Sequence, residues 1–433
     1  METKHIDARP PASTSGEVTT FYCYDSAPVR SLALVHAAWL LAGREQATTP
    51  VLMIDWDLEA PGLHHYVGTA DGAPSGPRGG VLELFEACRE RLGAPAAAAD
   101  ADGRAARVLD AVDWDDYIER VDDSRPLYLM RAGRVDDSYG ERVDRFDWDA
   151  LFGACPALFR AFAARLARRF AHVLVDCRGG RSAAASVCTA LLPDKMVGLF
   201  TPDPRSLEGL QGVVARALDY RCSHEDEQRP LLVYPLPAPA DAACDARRRW
   251  RLGDAADARP GGAGYQAVLE QMLGRSYGLG GVSLDSYLDE VQLPQAGILG
   301  AALPSGRTRP GGDDRLGPLR GIDALLEWLE PGHFPWRPLA EVRLVQAAGA
   351  LRRRAADAHA PAMVRELARL AHLYLGQQGE LEAAQRIEQH VAALEAGLHA
   401  MEEGMRGGYA GRQHAGTDHA ARHPATPYRV CSN

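Results

Sequence analysis

The chain has 433 residues, of which 46% are hydrophobic and 24% charged, and its formal net charge is -10. This composition is typical of a soluble globular protein, and the length predicts two to three domains. The negative charge argues against general nucleic-acid binding, because such binding needs a basic face that displaces counterions from phosphates.

One basic run, Arg247 to Arg249 with Arg251, indicates a solvated helix face rather than a phosphate-binding patch. The eight cysteines show no C-x-x-C spacing, so we expect reduced thiols, with no disulfide framework, no zinc and no haem. No uncharged apolar run approaches the ~18–20 residues of a membrane span, and residues 1–18 lack the apolar core of a signal peptide. We therefore expect a cytoplasmic protein without a transmembrane segment.

Six short apolar runs are predicted to be strands. They are rich in Val, Leu, Ile and aromatic residues and mostly lack polar alternation, which is typical of strands buried on both faces of a parallel sheet. The runs are Thr20 to Tyr24, Val51 to Asp55, Leu127 to Met130, His172 to Asp176, Met196 to Thr201 and Leu231 to Leu236.

Segments with helical spacing separate these runs, as in Leu32, Val35, His36 and Trp39 after the first strand. Alternation of strand and helix implies right-handed crossovers, so the predicted fold class is α/β, with a doubly wound, mainly parallel sheet. Such folds bind ligands at the carboxyl ends of their strands. Two of the predicted strands end there in carboxylates, Asp55 and Asp176.

The composition also predicts the domain boundaries. We expect a flexible N-terminus over 1–18 and an α/β domain over 19–312, interrupted by surface insertions at 69–80 and 94–106 that are rich in Ala, Gly, Pro and Asp. A helical region is expected over 321–403. Residues 404–433, rich in Gly, His, Arg and Ala, are expected to form a disordered tail.

The helical region carries the spacing of a tetratricopeptide repeat (TPR), in which small residues let two antiparallel helices approach and large residues fill the groove. The matching residues are Leu367, Leu370, Ala371, Tyr374, Gly379, Ala383, Ala384 and Ile387. About three such units are needed for a free-standing array. We therefore favour a helical hairpin packed on the α/β domain over a peptide-binding solenoid.

The first strand leads into residues 25–31, with the sequence DSAPVRS, where a phosphate-binding loop belongs. Such a loop points successive backbone N–H groups at the phosphates, and its glycines permit the close approach. This segment contains no glycine. A second segment, Asp55 to Leu63, has the sequence DWDLEAPGL and retains the carboxylates typical of a nucleotide site.

Together these segments resemble the deviant phosphate loop of the MinD/ParA branch of P-loop ATPases, and in particular the subfamily whose loop reads K-G-G-V-G-R-[ST]. The resemblance runs in order over residues 19–300. Besides 52–63, which match the second motif of the subfamily, the matching segments are 129–134, 146–148, 173–182, 200–203, 206–209 and, more weakly, 287–294. It implies a P-loop NTPase-like fold that binds ATP with magnesium.

Carried over by position, the resemblance makes Ser31 a magnesium ligand and Arg30 the cation of the loop. Asp57 would orient the attacking water, Asp55 would support the metal shell, and Asp176 would be the Walker B carboxylate. A structural alternative exists for the aspartates, since Asp before a turn is favoured by hydrogen bonds from its side chain to the backbone. Because neighbouring buried carboxylates without a cation destabilise a fold, we favour an inherited magnesium site. His64 and His65 are expected to be exposed turn residues rather than metal ligands.

The departures from the subfamily are concentrated in the loop. Asp25 stands where the subfamily has a lysine that reaches a nucleotide across a dimer interface, and Pro28 replaces a valine and removes one backbone donor. Ser26, Ala27 and Val29 replace glycines. A carboxylate a few ångström from a phosphate oxygen is repelled by on the order of several kcal/mol at an effective dielectric near 20.

One further departure lies outside the loop. Asp203 stands where the subfamily usually has an asparagine that can read adenine. These changes make ATP binding doubtful.

The sequence therefore favours a pseudo-ATPase that acts as a regulatory or scaffolding subunit in a multi-protein prokaryotic system. The alternative is an active switch in which ATP binding closes a dimer and hydrolysis reopens it. Protein partners are expected in either case, in a homodimer or in a heterodimer with an intact relative. In such a heterodimer Asp25 would replace the lysine that acts across the interface.

Overall fold

The computed structural model describes residues 16–25, 29–44, 48–67, 78–93, 100–223, 231–238, 244–253, 264–293, 299, 319–330, 332–345, 360–377, 383–389 and 392. It divides into two compact units, Met1–Arg337 and Pro338–Asn433. The first predicted strand begins at Glu17, so the end of the predicted flexible N-terminus is ordered. The predicted tail over 404–433 and the insertion residues 69–77 and 94–99 lie outside the described residues.

Seven strands in the described part of the first unit form one sheet in the order β3-β4-β2-β5-β1-β6-β7. Neighbouring strands run parallel except β3, which is antiparallel to β4. The strands are β1 (Glu17–Cys23), β2 (Val51–Trp56), β3 (Ile118–Asp122), β4 (Leu127–Met130), β5 (His172–Cys177), β6 (Lys195–Phe200) and β7 (Leu232–Pro237). The predicted α/β class and mainly parallel sheet are confirmed.

The two edge strands differ from the central strands in the residue types that they contain. Strand β3 is not among the predicted strands, because its residues Ile-Glu-Arg-Val-Asp carry three charges and lack the apolar run of a buried strand. Pairing with β4 on one side only lets such a polar strand form. At the other edge, β7 contains Pro235 and Pro237, which are tolerated because an edge strand has ladder partners on one side.

Helices cover both faces of the sheet, as expected for a doubly wound fold. In chain order the helices of the first unit are α1 (Val29–Ala42), α2 (Val81–Gly93), α3 (Ala101–Asp110), α4 (Tyr139–Arg145), α5 (Trp148–Ala154), α6 (Ala157–Arg169), α7 (Ala183–Ser186) followed by a π-helical turn (Val187–Leu191), α8 (Pro204–Ser223), α9 (Cys244–Leu252), α10 (Tyr265–Tyr277), α11 (Asp285–Glu290) and α12 (Arg320–Leu329). Short 3₁₀ turns occupy Leu63–His65 and Trp114–Asp116.

An aromatic cluster packs helices α2, α5 and α6 against strand β2. The ring centroids of Trp56 and Phe85 lie 5.4 Å apart, and Phe85 lies 5.3 Å from Trp148 and 5.1 Å from Phe162. All four side chains are buried. Aromatic pairs at these distances add about 0.5–1.5 kcal/mol beyond the area they bury, so this cluster holds the end of β2 rigidly below the turn that follows it.

Two predicted boundaries are corrected. The insertion expected over 94–106 is in part helical, because residues from Ala101 onward form α3, whose Ala105, Val108 and Leu109 are buried. A helix does begin at Arg320, near the start of the helical region expected over 321–403, but it lies in the first compact unit. Helix α12 belongs to the first compact unit, where it contacts α1 and α11, and the unit ends at Arg337.

Helix α13 (Ala360–Gln377) and the helical residues 339–345 and 383–389 represent the second unit among the described residues. Four of the residues with TPR spacing are buried: Ala371, Ala383, Ala384 and Ile387. Leu370 is 50% exposed, so it does not fill a groove as the repeat pattern predicts. Gly379 and the side chains of Leu367 and Tyr374 lie outside what the structure describes.

Among the described residues, no helix taken singly has the length and apolar character needed to cross a membrane. The bent pair α5 and α6 meets those criteria when the two helices are counted together, across a bend of 91°.

Candidate functional site

The candidate site lies where strands β2, β5 and β1 end side by side. Asp55 on β2 is in register with Asp176 on β5, and β5 also pairs with β1, whose chain continues into helix α1. Helix α1 carries Arg30 and Ser31 in its first turn. Parallel strands bring their carboxyl ends to one edge of a sheet, so residues far apart in sequence converge here.

The Arg30 guanidinium is at the centre of this convergence. Its Nε donates to Asp176 Oδ1 at 2.5 Å, and its Nη2 donates to Asp57 Oδ2 at 3.0 Å and to Ser31 Oγ at 3.3 Å. The Arg30 side chain is 4% exposed. Burial alone would lower the pKa of Arg30, but the charges and hydrogen bonds of Asp176 and Asp57 raise it overall, so the group remains a cation.

Ser31 completes the cluster. Its Oγ donates to Asp176 Oδ2 at 2.6 Å, so both oxygens of Asp176 accept hydrogen bonds from side chains of α1. Ser31 and Asp176, which the sequence predicts as magnesium ligands, are therefore bonded to each other. The cation that neutralises Asp176 and Asp57 comes from the chain itself.

The acidic motif after β2 uses its carboxylates to hold its own turn. Asp55 Oδ2 accepts from the N–H groups of Gly62 and Leu63, both at 3.0 Å, and Asp55 Oδ1 accepts from Asp57 N at 3.3 Å. Asp57 Oδ1 accepts from Ala60 N at 3.2 Å. These contacts are the side-chain-to-backbone hydrogen bonds of the structural alternative.

Asp55 also differs from its neighbours in its proton affinity. Burial, with the charge of Asp176 as the next cause, raises the pKa of Asp55 to about 7, against the lowering effect of the Leu63 and Gly62 N–H groups. The ion pairs of the Arg30 guanidinium with the other two aspartates, Asp57 and Asp176, favour the charged form of those carboxylates instead. Asp55 is therefore partly protonated near neutral pH, which reduces the repulsion among the three aspartates.

Asp25 and Asp203 form a second group at the end of β6. Asp203 Oδ1 accepts from Ser206 N at 3.0 Å, at the start of α8, and its other oxygen accepts from the Thr201 hydroxyl. Asp25 lies beside Thr201, with 3.4 Å between Thr201 Oγ1 and Asp25 Oδ2, and its Oδ1 is 3.8 Å from Arg205 Nε. The carboxylate of Asp203 thus caps a helix.

Pro28, with Ser26 and Ala27, lies outside the described residues. The structure therefore brings together five of the predicted site residues, Arg30, Ser31, Asp55, Asp57 and Asp176, around one buried cluster. It gives Asp25 and Asp203 partners of their own.

Two contacts at the site had no signal in the sequence. The Tyr139 hydroxyl donates to the carbonyl of Leu58 at 2.9 Å, inside the acidic motif, and Arg178 pairs with Glu59 in the same turn. Burial, followed by the charge of Asp55, raises the pKa of Tyr139. Neither residue belongs to a motif with fixed spacing from Asp55, and only the tertiary fold brings them to this turn.

A buried pair of thiols lies behind the cluster. Cys177 ends strand β5 directly after Asp176, and Cys188 lies in the π-helical turn after α7. Burial, followed by a hydrogen bond with Cys177, raises the pKa of Cys188. Both side chains are fully buried, and neither forms a disulfide with a described residue.

The described residues contain no group of three or more His, Cys, Asp or Glu side chains arranged to hold a metal ion. A magnesium ion here would depend on Ser31, on Asp176 and on ligands from outside the chain. The rings of His64 and His65 are in contact, with centroids 4.0 Å apart and planes tilted by 40°. His65 is exposed, as expected for a turn residue, and His64 is half-buried.

No protein-family model matches the sequence, and no curated protein matches it. The structure is similar to that of an ATP complex of McdA from Cyanothece, at 12% identity and a TM-score of 0.46, over 73% of this chain and 98% of that one. It is also similar to the cell division ATPase MinD of Pyrococcus furiosus, at 13% identity and a TM-score of 0.43, over 72% of this chain and 98% of that one.

A ParA family ATPase from Chlorobium tepidum is similar at 12% identity and a TM-score of 0.39, over 72% of this chain and 99% of that one. These likenesses assign no activity, ligand or partner to this chain.

Proposed function

We propose that this chain is a MinD/ParA-like P-loop protein, closest to the K-G-G-V-G-R variant, that does not hydrolyse ATP. It acts as a regulatory or scaffolding subunit of a multi-protein prokaryotic system in the cytoplasm. The observation that carries the proposal is the buried Arg30 guanidinium, which takes the Asp176 and Asp57 carboxylates and the Ser31 hydroxyl into one internal network.

The energies favour the internal network over a bound nucleotide. The N–H groups of Arg30 that face Asp176 and Asp57 could bind a phosphate only after releasing a buried carboxylate, and breaking a buried ion pair costs about 3–5 kcal/mol. Each decade of affinity corresponds to ~1.4 kcal/mol, so this rearrangement alone removes roughly two to three and a half decades. The carboxylate of Asp25 adds repulsion in place of the attraction of a lysine.

Calorimetric titration with Mg-ATP, together with an assay of phosphate release, tests the proposal. We expect neither saturable binding at micromolar nucleotide nor turnover. Micromolar binding with turnover that Asp57→Ala abolishes would overturn it.

A repaired loop is the matched positive control. The variant carrying Asp25→Lys, Ser26→Gly, Ala27→Gly, Pro28→Val and Val29→Gly restores the K-G-G-V-G sequence before Arg30. If the losses in residues 25–29 are what prevents binding, this variant gains affinity for Mg-ATP. If the internal Arg30 network suffices to exclude the nucleotide, the variant remains inert.

A second candidate function is the active, ATP-dependent dimerisation switch. The observation that favours it is Arg30 Nη1, which is buried and has no hydrogen-bond partner among the described residues. A buried unpaired donor costs about 1–3 kcal/mol, and a phosphate oxygen would satisfy it. For this function, Mg-ATP must raise the melting temperature and shift the oligomeric state measured by light scattering; if neither changes, the switch is excluded.

The helical second unit is the part we assign to protein partners, as a TPR-like hairpin rather than a complete solenoid. The complex would be a homodimer or a heterodimer with an intact relative, in which Asp25 faces the site of the partner. Removing residues 338–433 tests the assignment. If the truncated protein still captures its partners, the interface lies on the α/β unit.

A further inference from the structure

The surface of the first unit carries a cleft that none of the assignments above uses. It lies between α8 and the segment formed by α7 and its π-helical turn. Its enclosed part has a volume of about 20 Å³, enough for a small group rather than for a whole ligand, and the rest is open to solvent. Among the described residues, Arg181 and Arg216 line it together with the polar side chains of Ser186 and Thr189, and no acidic side chain does.

Both arginines are available to a ligand. Each is exposed, and neither forms an ion pair with a described residue. The chain as a whole has a net charge of -10, so two unpaired guanidinium groups at one cleft concentrate positive charge on an acidic protein. Guanidinium groups present several N–H donors in a planar fork that matches the oxygens of a phosphate.

The backbone that precedes Arg181 is held in place by its surroundings. The preceding Gly180 has φ +77°, and its N–H donates to the Tyr24 carbonyl at 3.0 Å, while its carbonyl accepts from the Tyr22 hydroxyl at 3.1 Å. The Arg181 guanidinium then lies over Gly212 of α8, so closely that a Cβ at position 212 would collide with it. A donor placed in advance loses less entropy when it binds.

We propose that this cleft binds the phosphate group of a small soluble ligand through Arg181 and Arg216. The two guanidinium groups supply the charge, and the absence of a side chain at Gly212 leaves room for the first of them against helix α8. The site is separate from the Arg30 cluster and does not depend on the fate of ATP.

Calorimetric titration with inorganic pyrophosphate, at low and at physiological salt, tests the proposal. We expect saturable binding that weakens with salt and that falls about tenfold or more in Arg181→Ala and in Arg216→Ala, since a charge-assisted hydrogen bond contributes at least one decade of affinity. Gly212→Ala is the most informative variant. It favours the helix, so the protein remains folded, yet it displaces Arg181 and should also weaken binding.

Two control variants separate this site from general charge and from the Arg30 cluster. Arg248→Ala removes an exposed arginine of α9 and should leave pyrophosphate binding unchanged, as should Ser31→Ala. Equal losses in Arg248→Ala, or a loss in Ser31→Ala with none in Arg181→Ala, would overturn the proposal.

The source of the phosphate group is tested by co-sedimentation with phosphatidylglycerol vesicles. We expect no co-sedimentation. Binding to the vesicles without binding of pyrophosphate would assign the cleft to a membrane surface and overturn the proposal, as would the absence of saturable pyrophosphate binding.

Discussion

Arg30 and the carboxylates around it show how one side chain can decide the character of a site. The Arg30 side chain is 4% exposed, and its guanidinium forms ion pairs with Asp57 and Asp176. A buried ion pair adds little net stability when it forms, because desolvating both charges offsets their attraction. Removing one partner is costly, since it leaves the other charge buried and unpaired.

Arg30→Ala is therefore expected to lower the free energy of unfolding by about 3–5 kcal/mol. The matched control is Arg145→Ala, which removes a pair with Glu141 at 2.9 Å between side chains that are 77% and 68% exposed. That change should cost less than about 0.5 kcal/mol. Urea unfolding followed by circular dichroism measures both, and equal effects would contradict a buried network at Arg30.

Asp55 gives the site a dependence on pH. Its pKa is raised to about 7 from the value of 3.8 expected in the unfolded chain. The folded state therefore binds the proton more tightly, and the stability that Asp55 contributes is present at acid pH and is lost as the pH rises through about 7.

We expect Asp55→Asn to gain stability relative to the unmodified protein between pH 5 and pH 8, by on the order of 1–3 kcal/mol. The asparagine carbonyl can still accept from Gly62 and Leu63, so the turn is retained. Urea unfolding of both proteins at pH 5, 6.5 and 8 gives the comparison. A stability difference that does not change with pH would show that Asp55 is not protonated in the folded state.

At the scale of the elements, the end of α12 depends on a buried charge at the start of strand β6. Lys195, at the start of β6, is 2% exposed, pairs with Glu17 and donates to the carbonyl of Leu329 at 2.6 Å. A lysine at a helix C-terminus satisfies carbonyls that have no partner within the helix. This contact ties α12 to the first unit, against the boundary that the sequence predicts.

Lys195→Met keeps the aliphatic stem and removes the charge. We expect a loss of about 3–5 kcal/mol, because Glu17 and the helix carbonyls lose their partner. The local readout is hydrogen exchange, which should become faster over residues 320–329. Arg320→Ala, which removes an exposed pair with Glu290 at 3.4 Å, is the control, and faster exchange of α12 to the same extent in both would contradict the role of Lys195.

At the scale of the whole molecule, the response to acid combines groups with opposite signs. His172 at the start of β5 is half-buried, and burial, followed by the charges of Lys195 and Arg44, lowers its pKa to about 4. The unfolded chain binds this proton more tightly, so stability falls as the pH drops below 6.5. Asp55 acts in the opposite direction over a range that overlaps.

His172→Gln removes the group whose protonation destabilises the folded protein at acid pH. Relative to the unmodified protein, the variant should gain about 1–2 kcal/mol on going from pH 7 to pH 5, since each pH unit between the two pKa values corresponds to ~1.4 kcal/mol. Thermal unfolding at the two pH values measures the gain. The same difference between the proteins at pH 7 and pH 5 would show that His172 titrates normally when folded.

Local chemistry explains why six of the seven strands could be predicted from the sequence. Strands such as β2 and β5 are continuous apolar runs, and a run of that kind is buried in a parallel sheet whatever surrounds it. Strand β3 was not predicted because its charged residues interrupt the apolar run that is typical of a buried strand. The extent of α3 was not predicted because the small and polar residues of its segment are also typical of loops. Asp55 and Asp176 could be placed at the carboxyl edge of the sheet for a similar reason, since each is the last residue but one of its strand.

The sequence by itself determined the α/β class, the positions of most strands and the residue types available at the carboxyl edge of the sheet. Only the tertiary structure decided what those residues do: that Arg30 bonds to Asp57 and Asp176, that Asp203 caps a helix, and that Arg181 lies over Gly212. The physical reason is the separation along the sequence over which each interaction acts. Apolar periodicity acts over a few neighbouring residues, whereas a buried ion pair joins side chains 27 and 146 positions apart, and only the packed fold brings them together.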